Sequence, residues 1–186
     1  FAVAQVDNVA YSSRLASIKY DHIPQQSVLL PSATPVARLD LKVKAKMVGY
    51  YPGAGDDIPS ALRQMGCEVK MLEAKDMDLS TLAKLDAIVV GIRAYNTKDE
   101  LQRHHAILMD YVQNGGTLIV QYCTNFELAV PQIAPYPMKI SRTRVSDETA
   151  EVRFLLPQHP VLNTPNKISG EDFDHWVQER GLYFPS

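Results

Sequence analysis

The stretch YYPGAGDDIPSALRQMG, Tyr50 to Gly66, decides the fold class because it passes from an apolar strand through a glycine-containing loop into a helix. Pro59 stands in the first turn of the predicted helix, and Gly66 provides a stop signal at its end. A strand followed directly by a helix is the first half of a βαβ unit. The loop therefore lies at the carboxyl ends of the strands, where open α/β sheets bind ligands. Its two aspartates limit the class of ligand that could bind there.

The same alternation continues along the chain. Four apolar segments predict strands, namely KMVGYY (46–51), CEVKML (67–72), DAIVVGI (86–92) and TLIVQYC (117–123). The third is apolar throughout, as expected for a strand that is buried on both faces. Strands that alternate with helices predict parallel pairing with right-handed crossovers. The predicted fold class is α/β: a flavodoxin-like open parallel sheet in the order 2-1-3-4, flanked by helices, with a C-terminal hairpin and helix as an extension.

A helix is predicted between the third and fourth strands, over residues 97–116. Thr97 and Glu100 have the spacing of a capping box, and Gly115-Gly116 terminates the pattern. Four apolar residues recur at helical spacing and predict the inner face of the helix: Leu101, Leu108, Tyr111 and Val112.

The two ends of the chain follow different patterns. Residues 1–43 contain several prolines and no helical period, which predicts an extended connector from a preceding domain, with a short strand at 15–20. Residues 44–186 form the α/β domain. Residues 138–156 predict a hairpin around Ser146–Thr149, and residues 169–181 predict a helix capped by Ser169. We also expect one more strand after Ser186, because open sheets of this kind usually have it.

Composition limits the class of function. The chain has 186 residues, is 46% hydrophobic and has a net charge of −2, which suits one α/β domain with additional chain. The near-neutral charge gives no support for nucleic-acid binding, and no apolar run is long enough to cross a bilayer. The chain begins at Phe1, so we expect it to be part of a longer protein. Cys67 and Cys123 stand at opposite ends of parallel strands, about 15–20 Å apart, and are predicted to be free thiols.

The loop after the first strand does not match a phosphate-binding loop. Gly53 and Gly55 fit the first two positions of G-x-G-x-x-G, but Ile58 occupies the third. Asp56 and Asp57 stand at the N-terminus of the following helix, where carboxylates cap free N–H groups and repel a phosphate. We predict that the aspartates cap the helix. The second one is also a candidate to bind sugar hydroxyls, to hold a cation or to pair with Arg93.

The order 2-1-3-4 makes the first and third strands neighbours, so the loops that follow them meet at the carboxyl edge of the sheet. We predict a polar ligand-binding crevice there. Its candidate residues come from the loops after the first, third and fourth strands: Gly53, Gly55, Asp56, Asp57, Arg93, Tyr95, Asn96, Gln121, Tyr122 and Asn125. This set suits a neutral, carbohydrate-like small molecule. In the alternative interpretation, an Arg93–aspartate salt bridge only ties two loops together.

Four segments together resemble a known family: VGYYPGAGDDIPSALRQMG, LDAIVVGIRAYNT, YVQNGGTLIVQYCTN and HPVLNTPNKISGEDFDHWVQERGLYFP. They are similar to the class I glutamine-amidotransferase-like (ThuA-like) domain, in the version at the C-terminal end of large bacterial PIG-L-type deacetylases. The resemblance covers about residues 15–186. It implies a flavodoxin-like sheet and a multidomain parent that is periplasmic or secreted and acts on glycans. The deacetylase motif itself is absent from this chain.

Active amidotransferases place a cysteine on a tight elbow and orient it with a histidine and a glutamate. Cys123 falls near the expected position, although no glycine flanks it and Tyr122 is a second candidate for the elbow. The candidate histidine, His159, has no glutamate two residues later. A cysteine nucleophile needs a base within reach and an orienting group. The sequence therefore predicts a broken triad, with Cys123 as a buried thiol.

The other histidines do not predict a metal site. His104 and His105 are adjacent on a helix and point about 100° apart, which is unsuitable for joint metal binding. We predict no metal and no cofactor. His175 is expected at the surface, and His22 is expected to anchor the connector.

Three hypotheses follow. The first is an accessory, non-catalytic domain that binds a carbohydrate-like ligand. The second is a cysteine-dependent amidotransferase or hydrolase that uses Cys123. The third is a structural module that packs against other domains of its parent through residues 1–45.

Overall fold

The computed structural model describes residues 3–33, 40–174 and 181–185, and the chain divides into two units between Asp40 and Leu41. The first unit contains two antiparallel hairpins. Strand β1 (Ala4–Val6) pairs with β2 (Val9–Tyr11), and β3 (Ser13–Tyr20) pairs with β4 (Ile23–Pro31).

The prediction of an extended connector is therefore wrong for much of this segment, although the predicted strand at 15–20 lies within β3. Asp7 and Asn8 have positive φ angles of 48° and 63°, so they form a tight turn whose twist matches that of the strands. Two residues also link β3 to β4. Prolines are tolerated in β4 because each strand of a two-stranded sheet is an edge strand. That this segment joins a preceding domain stays a prediction.

The second unit is built on a four-stranded parallel sheet. Its strands are β5 (Met47–Tyr51), β6 (Glu68–Met71), β7 (Ala87–Val90) and β8 (Leu118–Val120). The order is β6-β5-β7-β8, which confirms the predicted flavodoxin-like order 2-1-3-4. The loops after β5 and β7 therefore leave the sheet side by side.

In the part of the chain that the structure describes, four α-helices accompany these strands: α1 (Ile58–Gln64), α2 (Leu79–Leu82), α3 (Ala94–Thr97) and α4 (Leu101–Gln113). The predicted capping box is wrong, because α4 begins after Glu100 and the hydroxyl of Thr97 instead donates to the carbonyl of Arg93 at 3.0 Å. The residues before Lys98 form the separate turn α3. Gly66 and Gly115 each have a φ of +91°, which confirms that both helices end at a glycine in the left-handed conformation.

The core lies on both faces of the sheet. Ile88 and Val90 of β7 pack into the larger apolar cluster, together with the inner face of α4, while Val89 packs into a smaller cluster on the other face. Strand β7 is buried on both faces, as its unbroken apolar run predicts. Of the predicted inner face of α4, three residues are buried and Val112 is half-buried.

The C-terminal extension differs from its prediction. Strand β9 (Arg144–Val145) pairs antiparallel with β10 (Gly181–Leu182), so the hairpin is not closed around residues 146–149. The carboxylate of Asp147 accepts hydrogen bonds from Thr149 and forms a local turn there. The predicted last helix begins as a short 3-10 helix, Gly170–Phe173, and its residues 175–180 lie outside the described ranges.

Candidate functional site

The loops after β5 and β7 are in direct backbone contact. The amide of Ala54 donates to the carbonyl of Ile92 at 2.8 Å. A Cβ atom at Gly53 would lie 2.1 Å from that carbonyl oxygen, so this position requires glycine for the close approach. The predicted meeting of the two loops at the carboxyl edge of the sheet is confirmed.

Asp56 connects the ends of three strands. Its Oδ2 accepts hydrogen bonds from the Tyr50 hydroxyl at 2.6 Å, the Ile92 amide at 3.2 Å and the Gln121 side chain at 3.2 Å. Its Oδ1 accepts from the amide of Ile58, the first residue of α1, at 3.0 Å. This carboxylate is therefore occupied by internal bonds and acts as a structural bridge.

These bonds set the protonation of the pair. Desolvation on its own would raise the pKa of Asp56, but the hydrogen bonds from Tyr50, Ile58, Ile92 and Gln121 outweigh it and lower the pKa below its ordinary value. Burial, and then the hydrogen bond to Asp56, raise the pKa of Tyr50. Tyr50 therefore remains a donor and Asp56 remains an ionised acceptor throughout the neutral range.

Asp57 differs from its neighbour. It occupies the N-cap position of α1, but its side chain makes no capping hydrogen bond, and the residue is exposed. Its backbone, at φ −107° and ψ 19°, lies outside the extended conformation that a capping side chain normally adopts. The prediction that both aspartates cap the helix is wrong for Asp57, whose carboxylate forms no ion pair with any residue of the described ranges.

Arg93 begins the turn that follows β7. It is exposed and has a left-handed backbone, with φ 54°, and its amide donates to the carbonyl of Tyr122 at 2.7 Å. Neither ion pair found within the described ranges involves Arg93, so the alternative Arg93–aspartate salt bridge is not formed. The left-handed residue at this edge is Arg93 rather than Tyr122 or Cys123, so neither elbow candidate adopts that conformation.

The side chains of two predicted ligand residues form hydrogen bonds within the protein instead. Asn96 accepts from the amide of Thr124 at 2.9 Å and donates to the carbonyl of Phe126 at 2.6 Å, so it clamps the loop after β8. Tyr95 is fully buried, and its hydroxyl lies 3.0 Å from Nδ1 of His105. Sequence reasoning missed this role of His105, because no motif links it to a tyrosine on a separate helix.

Asn125, another of the predicted ligand residues, has a side-chain oxygen without a hydrogen bond. Its Oδ1 is buried and, within the part of the chain that the structure describes, has no hydrogen-bond partner. Leaving a buried acceptor unsatisfied costs about 1–3 kcal/mol. Because this oxygen has almost no accessible surface, a ligand at the edge of the sheet could not contact it directly. Gly55 of the first loop has a φ of +116°, and open space surrounds it.

Aromatic side chains lie beside the polar edge. The rings of Tyr122 and Phe126 are 5.8 Å and 6.1 Å from that of Tyr183, and the Arg142 guanidinium lies 4.7 Å from the centre of the Phe126 ring. Aromatic rings with a polar tip suit ligands that have one apolar and one polar face.

A cavity of about 530 Å³ begins at the end of β8. Gln121, Tyr122 and Cys123 line this end. Its remaining walls are mostly apolar side chains from α4, β8 and the segments 133–140 and 183–185. Sequence reasoning missed this cavity because the last two segments have no periodic pattern that would place them. The residues expected from the fourth strand thus contribute to an apolar cavity as well as to the polar edge.

The thiol of Cys123 is not arranged for catalysis. The residue is 5% exposed, and its Sγ donates to the carbonyl of Gln121 at 3.4 Å. Burial raises the pKa of the thiol, although the Tyr95 amide and the Arg93 charge act in the opposite direction. His159 is exposed, and its Nδ1 accepts from the amide of Val161 in its own loop. No histidine of the described ranges is a hydrogen-bond partner of Cys123, and both cysteines are free thiols, as predicted.

This arrangement predicts slow thiol chemistry. In a Cys67→Ser variant, which leaves Cys123 as the remaining thiol, we expect iodoacetamide at neutral pH to react at least ~100-fold more slowly with the folded protein than with the protein in denaturant, because only the exposed thiolate is nucleophilic. Mass spectrometry of the alkylated protein measures both rates. Comparable rates in the two states would contradict the inert thiol.

Within residues 3–33, 40–174 and 181–185, no group of three potential metal-binding side chains is present. No helix in those ranges has the length and apolar character needed to span a bilayer.

The second unit is an open α/β sheet of flavodoxin-like order whose candidate site lies at the carboxyl edge of β5, β7 and β8. Comparisons of the chain with protein-family models, curated proteins and solved structures give no match.

Proposed function

We propose that this chain contains a non-catalytic, amidotransferase-like domain that binds a carbohydrate-like ligand at the carboxyl edge of its sheet. One observation carries the proposal. Within the described ranges, the side chains of Asp57 and Arg93 are exposed at this edge and form no ion pair, while the nearby Cys123 is buried and has no histidine partner.

The chemistry of this edge suits a polyhydroxylated ligand. Asp57 is an acceptor and Arg93 is a multiple donor, so together they complement hydroxyl groups, which both donate and accept. The neighbouring rings of Tyr122 and Phe126 offer an apolar surface for the face of a sugar.

The wider assignment follows from the family resemblance and is supported by the sheet order. In this proposal the chain is an accessory part of a multidomain, deacetylase-type protein that processes glycans in the periplasm or outside the cell. Any deacetylase activity belongs to another part of that protein. The cysteine-dependent alternative is disfavoured by the burial of Cys123.

A structural role is the second candidate, and the first unit favours it. The β3–β4 hairpin exposes apolar side chains, with Leu15 and Leu29 directly opposite each other and 65% and 71% exposed. A two-stranded hairpin alone is at best marginally stable in water. We therefore propose that residues 1–45 pack against other domains of the parent protein.

Ligand binding is testable by thermal shift with a panel of neutral monosaccharides and oligosaccharides. A sugar at ten times its Kd should stabilise the protein by about 1.4 kcal/mol and raise Tm by roughly 3–6 °C. The shift should disappear in an Asp57→Ala, Arg93→Asn double variant, where asparagine is chosen because it tolerates the left-handed backbone.

The matched control is an Asp110→Ala, Arg103→Gln double variant, which removes the same charges from exposed positions on α4. This control should keep the full thermal shift. If no sugar shifts Tm, or if both double variants respond as the wild type does, the carbohydrate proposal is wrong and the structural role is favoured.

A further inference from the structure

The cavity of about 530 Å³ has the volume of a small-molecule site, which is commonly 300–1,000 Å³. Its walls come from β8, from α4 and from the segments 133–140 and 183–185. Leu118 and Val120 of β8 line it, whereas Ile119 between them points to the opposite face of the strand and is 51% exposed. The cavity therefore lies on the face of β8 that α4 covers.

The lining carries no charge. Among the described residues that line the cavity, none has an acidic, lysine or arginine side chain. Lys139 lies between two lining residues, Met138 and Ile140, but it is exposed and does not line the cavity, and the same holds for Asp110 of α4. Burial raises the pKa of the Cys123 thiol, so this group is also neutral at neutral pH. A charged ligand would lose hydration here without gaining a countercharge, which is unfavourable.

Aromatic rings and thioethers form much of the wall. Four aromatic residues and two methionines line the cavity, namely Tyr122, Tyr136, Tyr183, Phe184, Met109 and Met138. Aromatic rings pack favourably against other rings in offset or edge-to-face geometry, and methionine sulfur makes favourable contacts with ring edges. The three tyrosines come from three different segments, and their hydroxyl groups can both donate and accept hydrogen bonds.

We propose that this cavity binds an uncharged, mainly aromatic small molecule that carries a hydroxyl or ring N–H group. The uncharged lining selects against ions of either sign, and the rings of the wall select an aromatic system over a saturated one. A sugar does not suit this cavity, because many of its hydroxyl groups would face apolar walls. The site is therefore distinct from the carbohydrate site proposed above and does not depend on it.

Isothermal titration of the full chain at neutral pH with four matched probes tests the assignment. 2-Naphthol should bind at least tenfold more tightly than 2-naphthoate, which is an anion, and than 2-naphthylmethylammonium, which is a cation. It should bind at least threefold more tightly than decahydro-2-naphthol, which keeps the skeleton and the hydroxyl group but has no aromatic ring. Absence of 2-naphthol binding, or equal affinity for any of the other three probes, would overturn the proposal.

Two variants with matched controls locate the site. Val120→Phe should fill part of the cavity and weaken 2-naphthol binding at least tenfold, whereas Ile119→Phe, on the opposite face of β8, should leave it unchanged. Val112→Phe should fill the cavity from α4 with a similar loss, whereas Gln113→Phe, at an exposed position of the same helix, should not. Far-UV circular dichroism identifies a variant that fails to fold, and the other pair then decides. Equal effects within a folded pair would overturn the assignment.

The same measurements separate this proposal from the carbohydrate proposal. Val120→Phe should lose 2-naphthol binding and keep any sugar-dependent thermal shift, while the Asp57→Ala, Arg93→Asn double variant should do the reverse. Sugar binding without 2-naphthol binding would overturn only the aromatic site, and 2-naphthol binding without a response to sugars would overturn only the carbohydrate proposal. Loss of both responses in the same folded variant would contradict two distinct sites.

Discussion

Replacing Gly53 with alanine is expected to lower the free energy of unfolding of the second unit by about 3 kcal/mol, the upper end of the range for an overpacked site. The new Cβ would lie 2.1 Å from the carbonyl oxygen of Ile92 and 2.8 Å from the carbonyl carbon of Gly91. Both contacts are with backbone atoms, so no side chain can rotate away. The two loops must separate, and the Ala54–Ile92 hydrogen bond is lost with them.

Urea denaturation followed by circular dichroism measures this effect. The control is Gly170→Ala, because a Cβ at Gly170 meets nothing within 4 Å and its backbone is not left-handed. The control should change the free energy of unfolding by less than about 0.5 kcal/mol. If Gly53→Ala is equally mild, the loops do not approach each other as described.

Replacing Asp56 with alanine is expected to destabilise the second unit by about 2 kcal/mol, since the carboxylate accepts four hydrogen bonds and removing it leaves their donors unpaired. The figure stays within the range for bonds to a charged group and not above it, because Asp56 is exposed and water can replace part of these bonds. The adjacent Asp57→Ala is the matched control and should cost less than about 0.5 kcal/mol, because Asp57 makes no side-chain capping bond. Equal costs for the two variants would contradict the bridging role of Asp56.

The contribution of Asp56 should also depend on pH. Its pKa in the folded state lies below the ordinary value of 3.8, so the stabilisation is fully present above that ordinary value and is lost as pH falls through the lower folded pKa. The difference in unfolding free energy between the wild type and Asp56→Ala should therefore shrink in acid and stay constant from pH 5 to 8. A difference that grows in acid would contradict the downward shift.

The order of the parallel sheet could be predicted because the strand and helix patterns are local and repeat along the chain. The unbroken apolar run of β7 indicates a strand that is buried on both faces, and β5, β6 and β7 are each followed by a helical segment. Parallel pairing then places the loops after β5 and β7 at one edge. The candidate site could be located from the sequence for this reason.

The role of each residue in the candidate site could not be predicted from the sequence. Asp56 and Asp57 are chemically identical neighbours, and the one that bridges the loops is decided by backbone angles and by Ile92, 36 residues away. Asn96 and Tyr95 are residue types that commonly bind ligands, but their side chains form hydrogen bonds within the protein. The hairpins of the first unit were missed because their signal is the two-residue turn Asp7-Asn8, while the nearby prolines favoured an extended connector.

Hydrogen exchange of the Ile92 amide, read by NMR, tests most directly whether the loops after β5 and β7 are joined through Asp56. In the wild type this amide should exchange slowly, because it donates to the Asp56 carboxylate at 3.2 Å. Its protection should fall at least tenfold in Asp56→Ala and remain unchanged in Asp57→Ala. An Ile92 amide that exchanges at the rate of an unprotected loop in the wild type, or that ignores the loss of Asp56, would contradict the account.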